Sequence, residues 1–182
     1  MPHPEHDVLT DRLTLLWLAP DDLATLAAGD TRLVESAAGA PLPADWLADH
    51  GGLVHVRAKQ IERDPTSAPW LLRLIVRRDP AAVVGLINFH GPPDPRGFAE
   101  VGYGLETEHR GQGYAIEAVT GLFDWALRNH GVRRFRASIS PANDRSQNLV
   151  RKLGMAEVGS QWDDDDGLEV IWTVEGWPDS KG

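Results

Sequence analysis

The stretch Arg110-Gly111-Gln112-Gly113-Tyr114-Ala115 decides how this sequence is interpreted. It follows a segment with strand character, Phe98–Glu106, and opens a segment, Gly113–Arg128, in which apolar residues recur at helical spacing. The first amides of a helix have no partner within the helix, and glycines let the backbone approach an anion closely. With Arg110 at its mouth, such a turn suits a pyrophosphate. The alternative is a glycine-rich turn that serves only as a connection.

Two common phosphate-binding motifs do not match this stretch. A Walker A loop needs Gly-Lys followed by Ser or Thr, and the sequence contains none. A dinucleotide fingerprint needs a third glycine, whose place is taken by Ile116. It also needs an acid about 20 residues further on, where this chain has Gly131-Val132-Arg133-Arg134. The sequence therefore argues against a nucleotide or NAD site.

The pattern of apolar residues on either side predicts one mixed α/β domain. The elements predicted before the loop Gly91–Gly97 are a strand (12–18), two helices (20–28 and 43–61, the second with a break or kink at Gly51-Gly52) and a hairpin of two strands (70–76 and 81–89). Those predicted after it are four strands (98–106, 135–140, 155–161 and 168–175) and two helices (113–128 and 143–153).

Composition limits the classes of partner. The chain has 182 residues, of which 42% are hydrophobic, enough for one domain with a sizeable core. Its formal net charge is -9, opposite in sign to the clustered cations that neutralise nucleic-acid phosphates. We therefore expect no nucleic-acid and no membrane partner, whereas a cationic substrate would be attracted. Because cysteine is absent from the sequence, disulfides, thiolate metal sites and a cysteine nucleophile are excluded.

The first residues do not resemble a secretory signal, and the longest apolar stretches, such as Ala81–Ile87, are far shorter than the roughly 20 residues that cross a bilayer. We therefore expect a cytoplasmic protein. The acidic run Asp163–Asp166 is typical of a solvated hairpin turn, and the alternative is a tip that overhangs a substrate site and attracts an amine. Because its spacing does not match an EF-hand and the histidines are dispersed, we expect no metal.

Three segments resemble the GNAT acetyltransferase superfamily. Arg110, Gly113 and Ala115 fit its pattern Gln/Arg-x-x-Gly-x-Gly/Ala. Asn143–Ser146 followed by Lys152–Met155 resembles the Asn-x-x-Ser … Lys-x-Gly-Phe segment of the RimJ/RimL-like branch, and Thr10–Leu15 resembles the "T-x-R-L-x-L" opening of that branch. The resemblance covers about residues 8–176, which we expect to form a single N-acetyltransferase domain with residues 1–7 and 177–182 as flexible ends.

The resemblance implies a GNAT fold, in which a mixed, mostly antiparallel sheet of about seven strands carries helices on both faces. The sheet would splay between its fourth and fifth strands, about 98–106 and 134–140. Acetyl-CoA would lie in that gap, with its pantetheine arm along the fourth strand and its pyrophosphate on residues 110–115. The implied cofactor-binding residues are Val101, Tyr103, Leu105, Arg110, Gly111, Gln112, Gly113, Tyr114, Ala115, Asn143 and Ser146. Gly102 and Gly104 suit a bent strand that a ligand approaches, or a plain bulge.

The chemistry implied by the resemblance is direct attack of an amine on the thioester. A carboxylate must take the amine proton, directly or through water, and Glu100 is the best candidate. The alternative is an ordinary solvent-facing glutamate, with Asn88 and His90 as secondary candidates. Backbone N–H groups near Val101–Tyr103 would stabilise the oxyanion.

The family's usual tyrosine near the departing thiolate is replaced here by Val150. The branch resemblance implies that Ser146 hydrogen-bonds the sulfur and that Asn143 holds the pantetheine amides or a water. The local alternatives are a helix N-cap for Asn143 and helix surface for Ser146. Three tryptophans are candidates for the acceptor groove or for the core: Trp46, Trp70 and Trp162.

Two function classes are compatible with these residues. One is transfer of an acetyl group from acetyl-CoA to a primary amine, which could be a protein N-terminus, a lysine or a small molecule. The other is an idle GNAT domain that binds CoA as a sensor or assembly module. A different acyl donor, such as succinyl-CoA, and a homodimer are also left open by the sequence.

Overall fold

The structure is a computed structural model that describes residues 6–177. Most of the two predicted flexible ends, residues 1–5 and 178–182, lies outside the described residues. Within residues 6–177, no helix is both long enough and apolar enough to span a membrane.

One eight-stranded sheet forms the centre of the molecule, in the order β1-β2-β3-β4-β5-β6-β8-β7. All neighbouring strands are antiparallel except β5 and β6, which are parallel, so the predicted mixed sheet is confirmed. The sequence analysis missed β1, because two residues are too few to show alternation. The strands are β1 (Val8–Leu9), β2 (Leu13–Trp17), β3 (Arg73–Arg78), β4 (Ala81–Phe89), β5 (Phe98–Leu105), β6 (Arg134–Ile139), β7 (Ala156–Asp163) and β8 (Gly167–Val174).

Among residues 6–177, five α-helices cover the sheet. They are α1 (Pro20–Ala27), α2 (Arg32–Ala38), α3 (Trp46–Arg63), α4 (Tyr114–His130) and α5 (Asp144–Lys152). The predicted break at Gly51-Gly52 is wrong, because α3 continues through both glycines while Trp46, Val54 and Ile61 bury one face of it. The sequence analysis missed α2, which has a single buried residue, Val34, and so no apolar period.

Each face of the sheet has its own apolar core. Leu23 of α1 and Val54 of α3 pack with residues of β2–β4 on one face. On the other face, α4 contributes Ala118, Leu122 and Phe123 to a core shared with β4, β5, β6 and β8. The Phe123 ring stacks on that of Phe135 with 3.8 Å between ring centroids. Helices therefore cover both faces, as expected.

Trp177 differs from the expectation of a flexible end. Its side chain is fully buried, its amide donates to the Arg133 carbonyl at 3.0 Å, and its indole Nε1 donates to Asp124 Oδ1 at 2.8 Å. The indole also meets the Phe123 ring edge-on. A single large aromatic residue after the last strand can thus belong to the core although no periodic apolar pattern in the sequence predicts its burial.

The sheet opens between β5 and β6, which correspond to the predicted fourth and fifth strands. The two strands pair only through Phe98 with Arg134, Ala99 with Phe135 and Glu100 with Arg136. Beyond Glu100 the remaining residues of β5 pair with β4 alone. A parallel pair requires a crossover connection, and α4 supplies it. The first turn of α4 consequently lies at the open end of the gap.

Candidate active site

A cleft of about 880 Å³ occupies the gap between β5 and β6. Its walls come from the end of β5, the glycine-rich turn with the first turn of α4, and one side of α5. The lining residues are Tyr103, Gly104, Leu105, Arg110, Gly111, Gly113, Ala115, Ile116, Asn143, Arg145, Ser146, Asn148, Leu149 and Lys152. Three predicted cofactor residues do not line it: Val101 and Tyr114 are buried, and the Gln112 side chain donates to the Glu108 carbonyl.

The free edge of β5 borders the cleft with backbone groups. His90 N donates to Glu100 O at 2.8 Å, and Glu106 N donates to Val84 O at 3.0 Å, so even-numbered residues of β5 direct their backbone groups toward β4. Because these directions alternate along a strand, Val101, Tyr103 and Leu105 direct theirs into the gap. The Leu105 carbonyl accepts a hydrogen bond from Arg110 Nε at 3.0 Å on that side.

The glycine-rich turn places amides at the open end of the cleft. Gly111 and Gly113 have φ values of 76° and 81°, in the left-handed region that glycine adopts readily. Gly113 is the residue immediately before α4, whose first-turn amides lack helical partners. Arg110, Arg145 and Lys152 add three cationic side chains to the lining of a protein whose net charge is -9. The cleft is therefore suited to an anionic ligand.

Asn143 and Ser146 form the corner where α5 begins. Asn143 Oδ1 accepts a hydrogen bond from Ser146 N at 3.1 Å, so the asparagine is the N-cap of α5 while both residues line the cleft. The Tyr103 hydroxyl donates a long hydrogen bond of 3.5 Å to the Ser146 carbonyl. Burial raises the pKa of Tyr103, partly opposed by that hydrogen bond, so the phenol keeps its proton at neutral pH.

A group of polar side chains lies on the opposite face of the sheet, beside the point where β5 and β6 separate. Odd-numbered residues of these strands are buried in the α4 core, so Glu100, Arg136 and Ser138 face the side that carries α1–α3. We call them, together with Gln161 and Glu169, the polar cluster. The sequence analysis identified only Glu100 of this cluster.

Hydrogen bonds join the polar cluster across four strands. Ser138 Oγ donates to Glu100 Oε1 at 2.5 Å, and Arg136 Nη2 donates to Gln161 Oε1. Gln161 Nε2 donates to Glu169 Oε2 at 2.8 Å. Arg136 Nε is 3.5 Å from Glu100 Oε2, an ion-pair distance, and this buried nitrogen has no hydrogen-bond partner among residues 6–177. Glu100 is thus held between a hydroxyl donor and a cation.

His90 and Asn88 extend the polar surface from the end of β4. A Cβ atom on Gly102 would lie 3.0 Å from both His90 Nε2 and Asn88 Nδ2, so these side chains fill the space that glycine leaves open. Asn88 is buried and is bonded to the Gly102 carbonyl and to Arg57 Nε. Burial lowers the pKa of His90, and the charge of Glu100 partly opposes that shift. The imidazole is therefore neutral at pH 7, with a lone pair that can accept a proton.

The tryptophans and the acidic run singled out in the sequence differ in their surroundings. Trp46 and Trp70 are buried in the two cores, whereas Trp162 in the hairpin of β7 and β8 is 74% exposed. Asp163 Oδ1 accepts hydrogen bonds from the amides of Asp165 and Asp166, which lower the pKa of Asp163. The acidic run is thus a self-capped turn. In the part of the chain that the structure describes, no three His, Asp or Glu side chains are grouped so that they could hold a metal ion.

Comparison with known proteins agrees with this geometry. A family model described as "Acetyltransferase (GNAT) domain" matches residues 12–156. An uncharacterized N-acetyltransferase of Bacillus subtilis (strain 168), YjdG, is 38% identical over 81 residues, which cover 44% of this chain and 48% of that protein. The chain spans about half the length of the curated relatives it matches.

Two solved structures share the fold. The ribosomal-protein-S5-alanine acetyltransferase from Vibrio fischeri superposes with a TM-score of 0.64 at 15% identity, over 94% of this chain and 97% of that one. RimL, the ribosomal L7/L12 alpha-N-protein acetyltransferase in complex with coenzyme A, gives a TM-score of 0.64 at 15% identity, over 93% and 97% of the two chains. The expected architecture of the sheet and its helices is thereby confirmed.

Proposed function

Because the chain belongs to the GNAT acetyltransferase family, we propose that it transfers the acetyl group of acetyl-CoA to a primary amine by direct attack in a ternary complex. The observation that carries this proposal is the gap beyond Glu100, where the free edge of β5 leads from the glycine-rich turn to the polar cluster. One end of the gap suits an anion, and the other end offers groups that can accept a proton.

Acetyl-CoA would enter the cleft from the α4 side. The backbone groups of Val101, Tyr103 and Leu105 would pair with the amides of the pantetheine arm, as a neighbouring strand would. The pyrophosphate would rest on the amides of residues 111–115, and the lining cations would balance its charge. This arrangement would bring the thioester to the place where β5 and β6 diverge.

The amine would approach from the α3 side, over the polar cluster. An ammonium group must lose one proton before its nitrogen can attack the thioester carbon, and we assign Glu100 as the carboxylate that accepts it, directly or through a water. His90, neutral and adjacent on the same face, is the second acceptor within the site. The oxyanion would accept hydrogen bonds from the gap-facing amides of Val101 and Tyr103.

The departing CoA thiolate would meet the start of α5. Ser146 lines the cleft in the first turn of this helix, and we assign its hydroxyl as the donor to the developing sulfur anion. Asn143 would hold the pantetheine amides or a water. The protonated phenol of Tyr103, beside Ser146, is the second donor available there.

The experiment that tests this function measures free thiol released from acetyl-CoA in the presence of amines. The panel contains peptides with free N-termini, lysine peptides, polyamines and aminoglycosides, since the acidic charge of the protein favours cationic acceptors. Binding of CoA by calorimetry is measured alongside. Thiol release with an amine supports the transferase. Tight CoA binding without release for any amine would instead favour the sensor or assembly module.

A further inference from the structure

Hydrogen bonds connect the segment just before β2 to the glycine-rich turn and to the first turn of α4. Arg12 N and Arg12 Nε donate to the two carboxylate oxygens of Glu117, in the first turn of α4, each at 2.7 Å. The Thr10 hydroxyl donates to the same carboxylate at 2.6 Å. Arg12 Nη1 donates to the Gln112 carbonyl at 3.0 Å, and the guanidinium lies 4.6 Å from the centroid of the Tyr114 ring.

These contacts act on the backbone that would receive the pyrophosphate. The Gln112 carbonyl lies between Gly111 and Gly113, which both have positive φ, and glycine is the residue whose backbone adopts the widest range of conformations. In a trans peptide the carbonyl and the following N–H point in opposite directions. Because Arg12 binds the Gln112 carbonyl, the N–H of Gly113 is directed away from Arg12, and Gly113 lines the cleft whereas Gln112 does not.

We propose that Thr10, Arg12 and Glu117 are positioning residues, which hold the turn 111–113 and the first turn of α4 in the geometry that receives the diphosphate of the cofactor. This inference rests on the proposed function. None of the three residues lines the cleft, so they act through the backbone of the turn rather than by contact with the ligand.

The carboxylate of Glu117 is ionised in this arrangement. Burial raises the pKa of Glu117, but the hydrogen bonds from Thr10 and Arg12 outweigh burial, and the pKa is lowered overall. The three hydrogen bonds link Thr10 and Arg12 to an acid four residues after Gly113, although the two segments are about a hundred residues apart in sequence.

The Glu117→Gln substitution distinguishes positioning from direct electrostatic attraction, because the two predict changes of opposite sign in the affinity for CoA. Removing a negative charge near an anion site would tighten CoA binding if Arg12 merely attracted the diphosphate. If the contacts position the turn, losing them weakens CoA binding, by about 10-fold for hydrogen bonds to a charged group. Arg12→Lys keeps the charge but cannot bridge Glu117 and Gln112 in the same way, and it is expected to weaken binding similarly.

The experiment compares kcat/KM for acetyl-CoA with kcat/KM for acetyl-pantetheine, which lacks the diphosphate. Both variants are expected to lose about 10-fold with acetyl-CoA and to match wild type with acetyl-pantetheine. Asp30→Asn, which removes the partner of Arg32 in an exposed ion pair, is the control and leaves both values unchanged.

Two results would overturn the inference. Equal losses with both donors would assign a general structural role to these contacts, and tighter CoA binding by Glu117→Gln would assign simple charge attraction. If wild type turns over neither donor, the proposed function fails instead. Should one variant fail to fold, the other still decides the outcome.

Discussion

The cleft and the polar cluster occupy opposite faces of the same gap but are built in different ways. The cleft is lined mainly by two short continuous stretches, 110–116 and 143–152, and its glycine-rich turn exposes backbone at the start of α4. The polar cluster gathers single side chains from β5, β6, β7 and β8. Backbone amides at the start of a helix bind anions whatever the neighbouring side chains are. Each side chain of the polar cluster, in contrast, can be replaced by a single substitution. In the proposed function, local conformation would therefore determine cofactor binding, and side chains that only the tertiary structure brings together would determine acceptor binding.

The largest effect is expected from a change to the backbone of the cleft. Gly113→Asp puts an L residue in the left-handed region, at a cost of about 1–3 kcal/mol, and adds a charge that repels the diphosphate. A strained turn leaves the conformation that would receive the diphosphate, and the added charge repels it, so we predict a Kd for CoA raised by about 1,000-fold, measured by calorimetry.

Gly131→Asp is the matched control for strain. Gly131 has a φ of 68°, ends α4 far from the turn, and would place a Cβ atom in open space. This variant is expected to lose stability but to bind CoA normally. A folded Gly113→Asp variant with wild-type affinity would contradict the assignment of the cofactor to residues 110–115.

The second effect concerns the polar cluster. Glu100→Gln is expected to lower kcat/KM for the amine by about 100-fold, because positioned general bases contribute about 10²–10⁴. The loss should shrink at high pH, where free amine is abundant. Glu169→Gln alters the same cluster at Gln161, away from the point where β5 and β6 part, and is expected to cost less. A near-normal rate of Glu100→Gln from pH 6 to 9 would transfer the role of base to His90.

The difference between the two regions also explains how much the sequence predicted. The glycine-rich turn and the start of α5 follow from contiguous residues and were expected, whereas the free edge of β5 was expected only from the family resemblance. Arg136, Ser138 and Gln161 were not, because each is an ordinary polar residue on a strand, and only strand pairing brings them to Glu100. Arg134, Arg136 and Ser138 alternate with apolar neighbours, which gives β6 a polar face, but this alternation does not show which residues that face contacts.

The contacts of Arg12 and Trp177 were missed for the same reason. The apolar pattern of residues 12–18 predicted a strand, and the strand is present as β2, but the partner of Arg12 lies 105 residues away. Trp177 had no periodic context at all, and its burial depends on Asp124 and Phe123 of α4. Non-local contacts of this kind require the completed fold.

The third effect tests the corner where α5 begins. Ser146→Ala removes a hydrogen bond that would strengthen as charge develops on the sulfur, so the loss should appear in kcat with little change in acetyl-CoA affinity. A hydrogen bond to a charged group is worth about 1.5–3 kcal/mol, or roughly 10- to 100-fold in rate. Weaker CoA binding with an intact kcat would make Ser146 a cofactor contact instead. An unchanged kcat together with a large loss in Tyr103→Phe would transfer the role to the phenol.

The smallest effect is a pH dependence of stability that arises at His90, beside the polar cluster, and not in the cleft. In the folded protein, burial lowers the pKa of His90. The charges of Arg57 and Arg136 lower this pKa further, whereas those of Glu100 and Glu169 partly oppose the shift. Between that lowered value and the ordinary value of about 6.5, the unfolded chain binds more protons than the folded one. The free energy of unfolding therefore falls as the pH is lowered through this window and recovers as the pH rises past it.

Urea unfolding of three variants between pH 5 and 7.5 would separate the two regions. His90→Gln should flatten the dependence, since the titrating group is gone. Glu100→Gln should steepen it, because losing the nearby carboxylate lowers the pKa of His90 further. Ser146→Ala should show the same change of unfolding free energy with pH as wild type, because Ser146 lies on the cleft side of the gap. Burial also lowers the pKa of His130, but this residue contributes equally to all three variants. If Glu100→Gln had the same slope as wild type, the charge of Glu100 would not influence the titration of His90.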